Sequence, residues 1–489
     1  MHYIIGIDIG TTNTKAVAFT DEGAVLGSAG ASYPIFSEAE GQHELDPDKL
    51  LEAVITTLSE VRKKTVSRPG LAGISFSCAM HSLIVVDAAG KPLTRAITWA
   101  DQRPAPYAKA LKDSAAGRRI YRQTGTPVHA MSPLCKLLWL KEAEPALFAK
   151  AARFISIKEY IWWSLFGEYK VDHSIASATG LLDIRSFNWY AESLEVAKIR
   201  TGQLSDLVPS TYSSTALLPE FRSLSLPAGL PFVIGGSDGC LANLGSSAVK
   251  PGETALTIGT SGAIRMTAPA PEYDVRERIF SYILTDRHYV CGGPTNNGGN
   301  VIQWYAKSVL GRKDGDIGSL EAAADTVPAG CEGLVFLPYL RGERAPVWDA
   351  DAKGVYFGLR SIHEQRHFTR AMLEGISYSL CQIGASLEET LGPIKHIYAS
   401  GGFTGSKMWL QMIADVFMKK VYVTGTADAS AIGAAMMGFY ALGMISDLEE
   451  TARLVKVVET YEPDADRHAV YQKNFEVFTE LYNRLKDLM

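Results

Sequence analysis

The densest chemistry in the chain lies near its start. Asp8-Ile9-Gly10-Thr11-Thr12-Asn13-Thr14-Lys15 sets a carboxylate at the end of an apolar run, then a glycine, then hydroxyls, an amide and an ammonium. Glycine lets the backbone turn sharply and approach an anion. The amides and hydroxyls that follow can donate to phosphate oxygens, and an aspartate ending a strand can hold a hydrated magnesium ion. A polar hairpin turn with no ligand needs the same residues, so the motif decides little alone. Thr257-Ile258-Gly259-Thr260-Ser261-Gly262 repeats the device about half a chain downstream. Between the two copies, Gly235-Gly236-Ser237-Asp238-Gly239 follows the apolar Pro231 to Ile234. This is either an aspartate turned toward a cleft or an ordinary Asp-Gly turn. Neither G-x-x-x-x-G-K-[ST] nor G-x-G-x-x-G occurs, which excludes a P-loop and a dinucleotide fingerprint.

Three further groups could face a ligand. Trp99-Ala100-Asp101-Gln102-Arg103 combines an aromatic face, a carboxylate and a guanidinium, a set suited to a polyhydroxylated molecule. Cys78-Ala79-Met80-His81-Ser82 puts a histidine at the carboxyl end of a strand, where α/β clefts bind ligands. Gly342-Glu343-Arg344-Ala345-Pro346 reads as a salt-bridged loop or a substrate-facing one. His363-Glu364-Gln365-Arg366-His367 satisfies the helical zinc pattern H-E-x-x-H. Its context argues otherwise: Ser361 and Glu364 read as a capping box that would leave His363 in the first turn, and no third ligand is evident.

The elements that must carry these groups alternate in type. An antiparallel meander spans the first thirty residues, and Asp46 and Pro47 open a helix whose stripe runs from Leu50 to Val61. A strand is expected at Gly73 to Ser77, a helix at 365–391, a strand at 397–400, a helix at 407–418, a strand at 421–423 and an Ala/Gly-rich helix at 431–442. The repeated hairpin suggests two similar α/β domains facing a shared cleft, with a boundary near Leu244 to Val249. A length of 489 residues fits two large domains at ~100 to 200 residues each. With 48 basic and 53 acidic side chains and no basic stripe, nothing advertises a nucleic acid. No apolar run approaches the ~20 residues needed to span a bilayer, so no membrane role is expected. The six scattered cysteines suggest neither a zinc ribbon nor a disulfide framework and fit a cytoplasmic, reducing location.

Together these motifs resemble the FGGY carbohydrate kinases, a branch of the actin and Hsp70-like ATPase superfamily. The likeness runs from Ile4 to about Gly443 and adds Met131-Ser132-Pro133 with Lys136 and Trp139, and Ser400-Gly401-Gly402. Several stretches, among them Ala79 to Leu83, Gly125 to His129 and Gly292 to Gly299, are most similar to the gluconate-phosphorylating members. The Met-His pair is shared with the xylulose-phosphorylating ones. The resemblance implies an α/β fold of two actin-like (ribonuclease H-like) domains around a central cleft. Residues 1–246 would carry the sugar site and the base, and 247–489 the nucleotide site.

It further implies ATP and Mg²⁺ as cofactors, a small sugar acid as acceptor, and a homodimer as the family-level expectation. Asp238 would be the general base, with Mg²⁺ near Asp8 and Asp238. Thr11, Thr12, Asn13, Lys15, Gly259 and Thr260 would contact phosphates, and Gly299, Gln303, Gly402 and Ser406 would line the nucleotide site. Met80, His81, Trp99, Asp101, Met131, Asp238 and Arg344 would line the sugar site. A gluconate carboxylate needs a cation or several donors once buried, and His81, Arg103 and Arg344 are the candidates. The alternatives are a kinase for another open-chain sugar such as xylulose, or an actin-like sugar- or nucleotide-binding protein without catalysis.

Overall fold

The computed structural model describes residues 1–312, 316–425 and 428–489. Its frame is two mixed sheets of the same plan. In the first, Tyr3–Ile9 is flanked on one side by the antiparallel Asn13–Thr20 and Val25–Ser32. On the other side lie the parallel Leu71–Cys78 and Phe232–Ser237, closed by the short antiparallel Ser213–Ser214. The second sheet repeats this around Glu253–Ile258. Gly262–Ala268 and His288–Thr295 lie antiparallel on one side, and parallel His396–Ser400 and Lys420–Thr424 on the other, with Val457–Tyr461 and Phe280–Thr285 at the edges. This is the expected doubly built α/β architecture.

The central strands must be covered on both faces, because Y-I-I-G-I-D-I is buried almost throughout rather than alternating. Helix Pro47–Thr65 covers one face. The Asp46 carboxylate accepts the Asp48 amide at 2.9 Å at its N-terminus, and Arg62, Lys63 and Lys64 complement the dipole at its other end. The other face is covered from the far half of the chain. Helix Ala429–Ala441 follows strand Lys420–Thr424 of the second sheet yet packs on the first sheet and on helix Asp238–Gly245. Close approach depends on glycine: a Cβ on Gly433 would sit 1.9 Å from the Leu241 carbonyl oxygen, and one on Gly6 the same distance from that of Ala431. Met436, Met437 and Phe439 are fully buried here and contribute roughly 1.5–3 kcal/mol each.

The expected cap of helix Gln365–Leu391 is corrected by the structure. Glu364, not Ser361, is its N-cap, and the Glu364 amide donates to Nδ1 of the buried His367 at 3.0 Å. His363 lies ahead of the helix and takes the Arg360 amide at 3.0 Å. A buried imidazole supplies the acceptor that a Ser-Glu box would otherwise have provided. Among the described residues, no helix is long and apolar enough to cross a membrane.

Candidate active site

Both glycine-threonine turns lie at strand ends that face the gap between the sheets. In the first, Ile9 pairs with Thr14 and Asp8 with Lys15, which leaves Gly10 to Asn13 as the tip. Tyr33 pins the tip by donating its hydroxyl to the Gly10 carbonyl at 2.5 Å. Ser77 donates to Oδ1 of Asp8 at 2.7 Å. Burial, then the charges of Asp238 and Asp428, push the Asp8 carboxyl up to about 7. Lys15 meets Asp428 at 2.6 Å, a contact that ties this hairpin to the start of helix Ala429–Ala441.

In the second turn the Gly259 carbonyl accepts the Gly299 amide at 2.8 Å and the Thr260 carbonyl accepts that of Asn300 at 3.1 Å. A neighbouring turn packs against it: a Cβ on Gly401 would lie 2.5 Å from the Ile258 carbonyl oxygen, and the Thr257 and Ser400 hydroxyls are 2.8 Å apart. Gly259 and Gly402 face open space, so a ligand can approach their backbone closely. Gln303 is exposed on helix Gly299–Trp304, and Ser406 caps helix Lys407–Phe417 through a 3.4 Å bond from the Trp409 amide.

A cavity of about 250 Å³ lies between the turns. Thr11, Met80, His81, Trp99 and Asp238 line it from the first half, and Ser261 to Ala263, Arg265, Phe280, Tyr282 and Arg344 from the second. Asp238 opens helix Asp238–Gly245, with Oδ1 accepting the Gly239 amide at 2.7 Å. Burial raises its pKa, partly offset by the nearby Arg265 charge. His81 adopts a left-handed φ of 67°, a conformation that a non-glycine residue holds only when its surroundings enforce it. The enforcement is visible: Lys136 donates to the His81 carbonyl and, at 2.8 Å, to that of Met131, while His81 Nδ1 lies 2.7 Å from the Ala178 carbonyl oxygen. Burial and the Lys136 charge hold the imidazole neutral, with Nε2 3.4 Å from the Tyr282 hydroxyl.

Asp101 and Met131 stand behind this wall rather than on it. Both are fully buried; Asp101 accepts the His43 amide at 3.0 Å and pairs with Arg103 at 2.7 Å. Arg103 also meets Glu44 at 2.5 Å and stacks on Trp139, so it is committed away from the cavity. Sequence reasoning missed Arg265, Tyr282 and Asp428. A charge set among apolar residues three positions past the Gly-Thr turn was the available sign of Arg265.

The donor set fits a hydrated Mg²⁺. Among the described residues no three acidic, histidine or cysteine side chains converge to cage an ion. Mg²⁺ does not need a cage, because it binds through one or two carboxylates with water and phosphate oxygens. Burial first, then the charges of Asp238 and Asp428, raise the pKa of Asp8, and a cation here would favour its ionised form.

Comparison with known proteins identifies this arrangement. The N-terminal domain of the FGGY family of carbohydrate kinases matches residues 3–245, and its C-terminal domain matches 254–442. The chain belongs to the FGGY family of carbohydrate kinases. It is therefore an ATP-dependent carbohydrate kinase with the actin-like fold of that family. It is 41% identical to the gluconokinase of Bacillus subtilis (strain 168), over 99% of this chain and 96% of that one. The gluconate kinase structure from Lactobacillus acidophilus superposes with a TM-score of 0.94 at 35% identity, covering 99% of this chain and 98% of the other. A ligand-bound xylulose kinase from the same organism gives 0.94 and 35%, covering 99% of each chain.

Proposed function

We propose that this FGGY kinase phosphorylates the terminal C6 hydroxyl of D-gluconate to give 6-phosphogluconate. Asp238 accepts the hydroxyl proton as that oxygen bonds to the γ-phosphorus of ATP and the bridging bond to the β-phosphate breaks, releasing ADP. The amides and hydroxyls of Thr11, Thr12 and Asn13 cradle phosphates from one side, and those of Gly259 and Thr260 from the other. Lys15 leaves Asp428 to join them. Gly299, Gln303, Gly402 and Ser406 hold the rest of the nucleotide. Mg²⁺, held through water near Asp8 and Asp238, would offset charge on the phosphates. Residues 1–246 supply the base and much of the acceptor wall, and 247–489 the nucleotide site. Asp101 and Met131 act from behind, keeping Trp99 and His81 in place. In solution the protein is proposed to be a homodimer.

The observation that carries this reading is Asp238 itself, a carboxylate with a raised pKa in a cavity lined by residues of both phosphate-type turns. The relatives named for gluconate supply the acceptor. The test is ADP release with Mg·ATP, comparing D-gluconate with D-xylulose, glycerol and no sugar. Gluconate-dependent release supports the proposal. Release with xylulose alone keeps the base and overturns the acceptor, and no release with any sugar overturns the catalytic reading.

A further inference from the structure

The acceptor cavity holds two guanidinium groups, and neither has an anionic partner. Arg265 makes no side-chain hydrogen bond or ion pair among the described residues, and its Nε is sealed from solvent. Arg344 is buried, stacks 4.6 Å from the centre of the Trp99 ring and donates once, from Nη2 to the Thr295 carbonyl at 3.1 Å. Its Nε is also sealed and unpartnered. The obvious acid to pair with Arg344 is its neighbour Glu343, but that carboxyl is taken up by Thr295, the Asn296 amide and the Arg344 amide. Asp238 lies near Arg265 without forming an ion pair. Arg344 is buried and Arg265 half-buried; a cation so placed without a paired anion is costly, and an anion arriving in the cavity relieves that cost.

We infer that Arg265 and Arg344 together form the receptor for the carboxylate of the acceptor, and so select an aldonate over a neutral sugar; this rests on the proposed gluconate kinase activity. Position along the strand separates this role from phosphate binding. The phosphate-type turn ends at Gly262, where strand Gly262–Ala268 begins. Ala263 and Arg265 share the cavity face, so Arg265 lies roughly 7 Å farther along the strand from the turn than Ala263. Asp238, Arg265 and Arg344 line one cavity, so an acceptor that fills it meets the base and both guanidinium groups. His81, being neutral, and Arg103, being doubly paired, cannot take that place.

The test is steady-state kinetics of the full chain with Arg265→Met, Arg265→Gln and Arg344→Met, alongside thermal melting. Loss of a charge-assisted contact to the carboxylate predicts that KM for gluconate rises roughly 10- to 100-fold. KM for ATP should stay near wild type, and because the Arg265 charge also favours ionised Asp238, kcat of the Arg265 variants is compared with wild type well above the acid limb, where the base stays ionised without it. The Gln variant covers failure of the Met variant to fold. If KM for gluconate is unchanged in the folded Arg265 variants, the receptor is overturned, and a rise in KM for ATP in the same variants would assign Arg265 to the phosphates instead. That result leaves the gluconate kinase reading intact. Wild-type protein that uses xylulose and ignores gluconate removes the acceptor and the receptor together.

Discussion

Asp238 shares its cavity with an unpaired guanidinium, yet its carboxyl titrates above the ordinary aspartate range because burial outweighs the Arg265 charge. A general base works only when ionised, so activity must fall as pH drops through that raised pKa. The acid limb of kcat/KM for gluconate is therefore expected above the ~3.9 of a free aspartate, and a rate that stays flat down to about pH 4 would take Asp238 out of the proton transfer. Asp238→Asn should lose roughly 10²- to 10⁴-fold in kcat while still binding both substrates. Near-wild-type turnover in a folded Asn variant would end the assignment. Asp8, pushed up to about 7, is part-protonated near neutrality in the free protein. A cation favours its ionised form, so Mg·ATP binding near neutral pH should release a proton, seen calorimetrically as a heat that depends on the buffer's ionisation enthalpy. A buffer-independent heat would place Asp8 outside the ion's reach. Asp8 and Asp238 could be picked out from sequence because each ends an apolar strand beside glycine. Arg265 carried a weaker sign, a lone charge among the apolar residues of Gly262–Ala268, and its lack of an ion-pair partner exists only once both halves are folded.

Among the elements, the crossing of helices Asp238–Gly245 and Ala429–Ala441 holds Asp238 in register with both sheets. Ser430 ties the two by donating to the Asp238 carbonyl at 3.3 Å. Backbone meets backbone at the crossing, where a Cβ on Gly245 would fall 2.0 Å from the Ala429 carbonyl oxygen and one on Gly433 1.9 Å from that of Leu241. Neither obstacle is a flexible side-chain end, so the helices must separate to admit a methyl group. Gly433→Ala is expected to destabilise the fold by roughly 1–3 kcal/mol, lowering the melting temperature and kcat together. Gly202→Ala, which meets nothing within 4 Å, serves as the control. Equal melting temperatures for the two variants would refute the crossing as a tight contact. The sequence marked residues 431–442 as an Ala/Gly-rich helix, but not which sheet they cover. Periodicity reports burial and carries no information on a partner more than four hundred residues earlier in the chain. The Ser361–Glu364 cap was misread for a related reason: a local pattern could not foresee that the His367 ring would be buried and would take the Glu364 amide.

At the scale of the whole molecule, duplication of one sheet plan places the two turns opposite each other and leaves the acceptor cavity between the halves. Its walls come from both, with Thr11, His81, Trp99 and Asp238 facing Ser261, Arg265, Tyr282 and Arg344. An acceptor held there bridges the halves, and so does a nucleotide whose phosphates touch both turns. Each ligand therefore pays part of the cost of holding the halves together, and the second should bind to a molecule already drawn closed. Reciprocity then requires equal coupling in both directions, with a typical strength of about 5- to 150-fold. Calorimetric titration of gluconate should give a lower Kd in the presence of Mg²⁺ and a non-hydrolysable ATP analogue, and the analogue's Kd should fall by the same factor when gluconate is present. Identical affinities with and without the other ligand would mean that the halves are already fixed in the binding geometry. Exclusion of water from the phosphate would then have to come from the acceptor alone, and ATP hydrolysis without sugar should run at a rate set by how poorly the empty cavity excludes solvent.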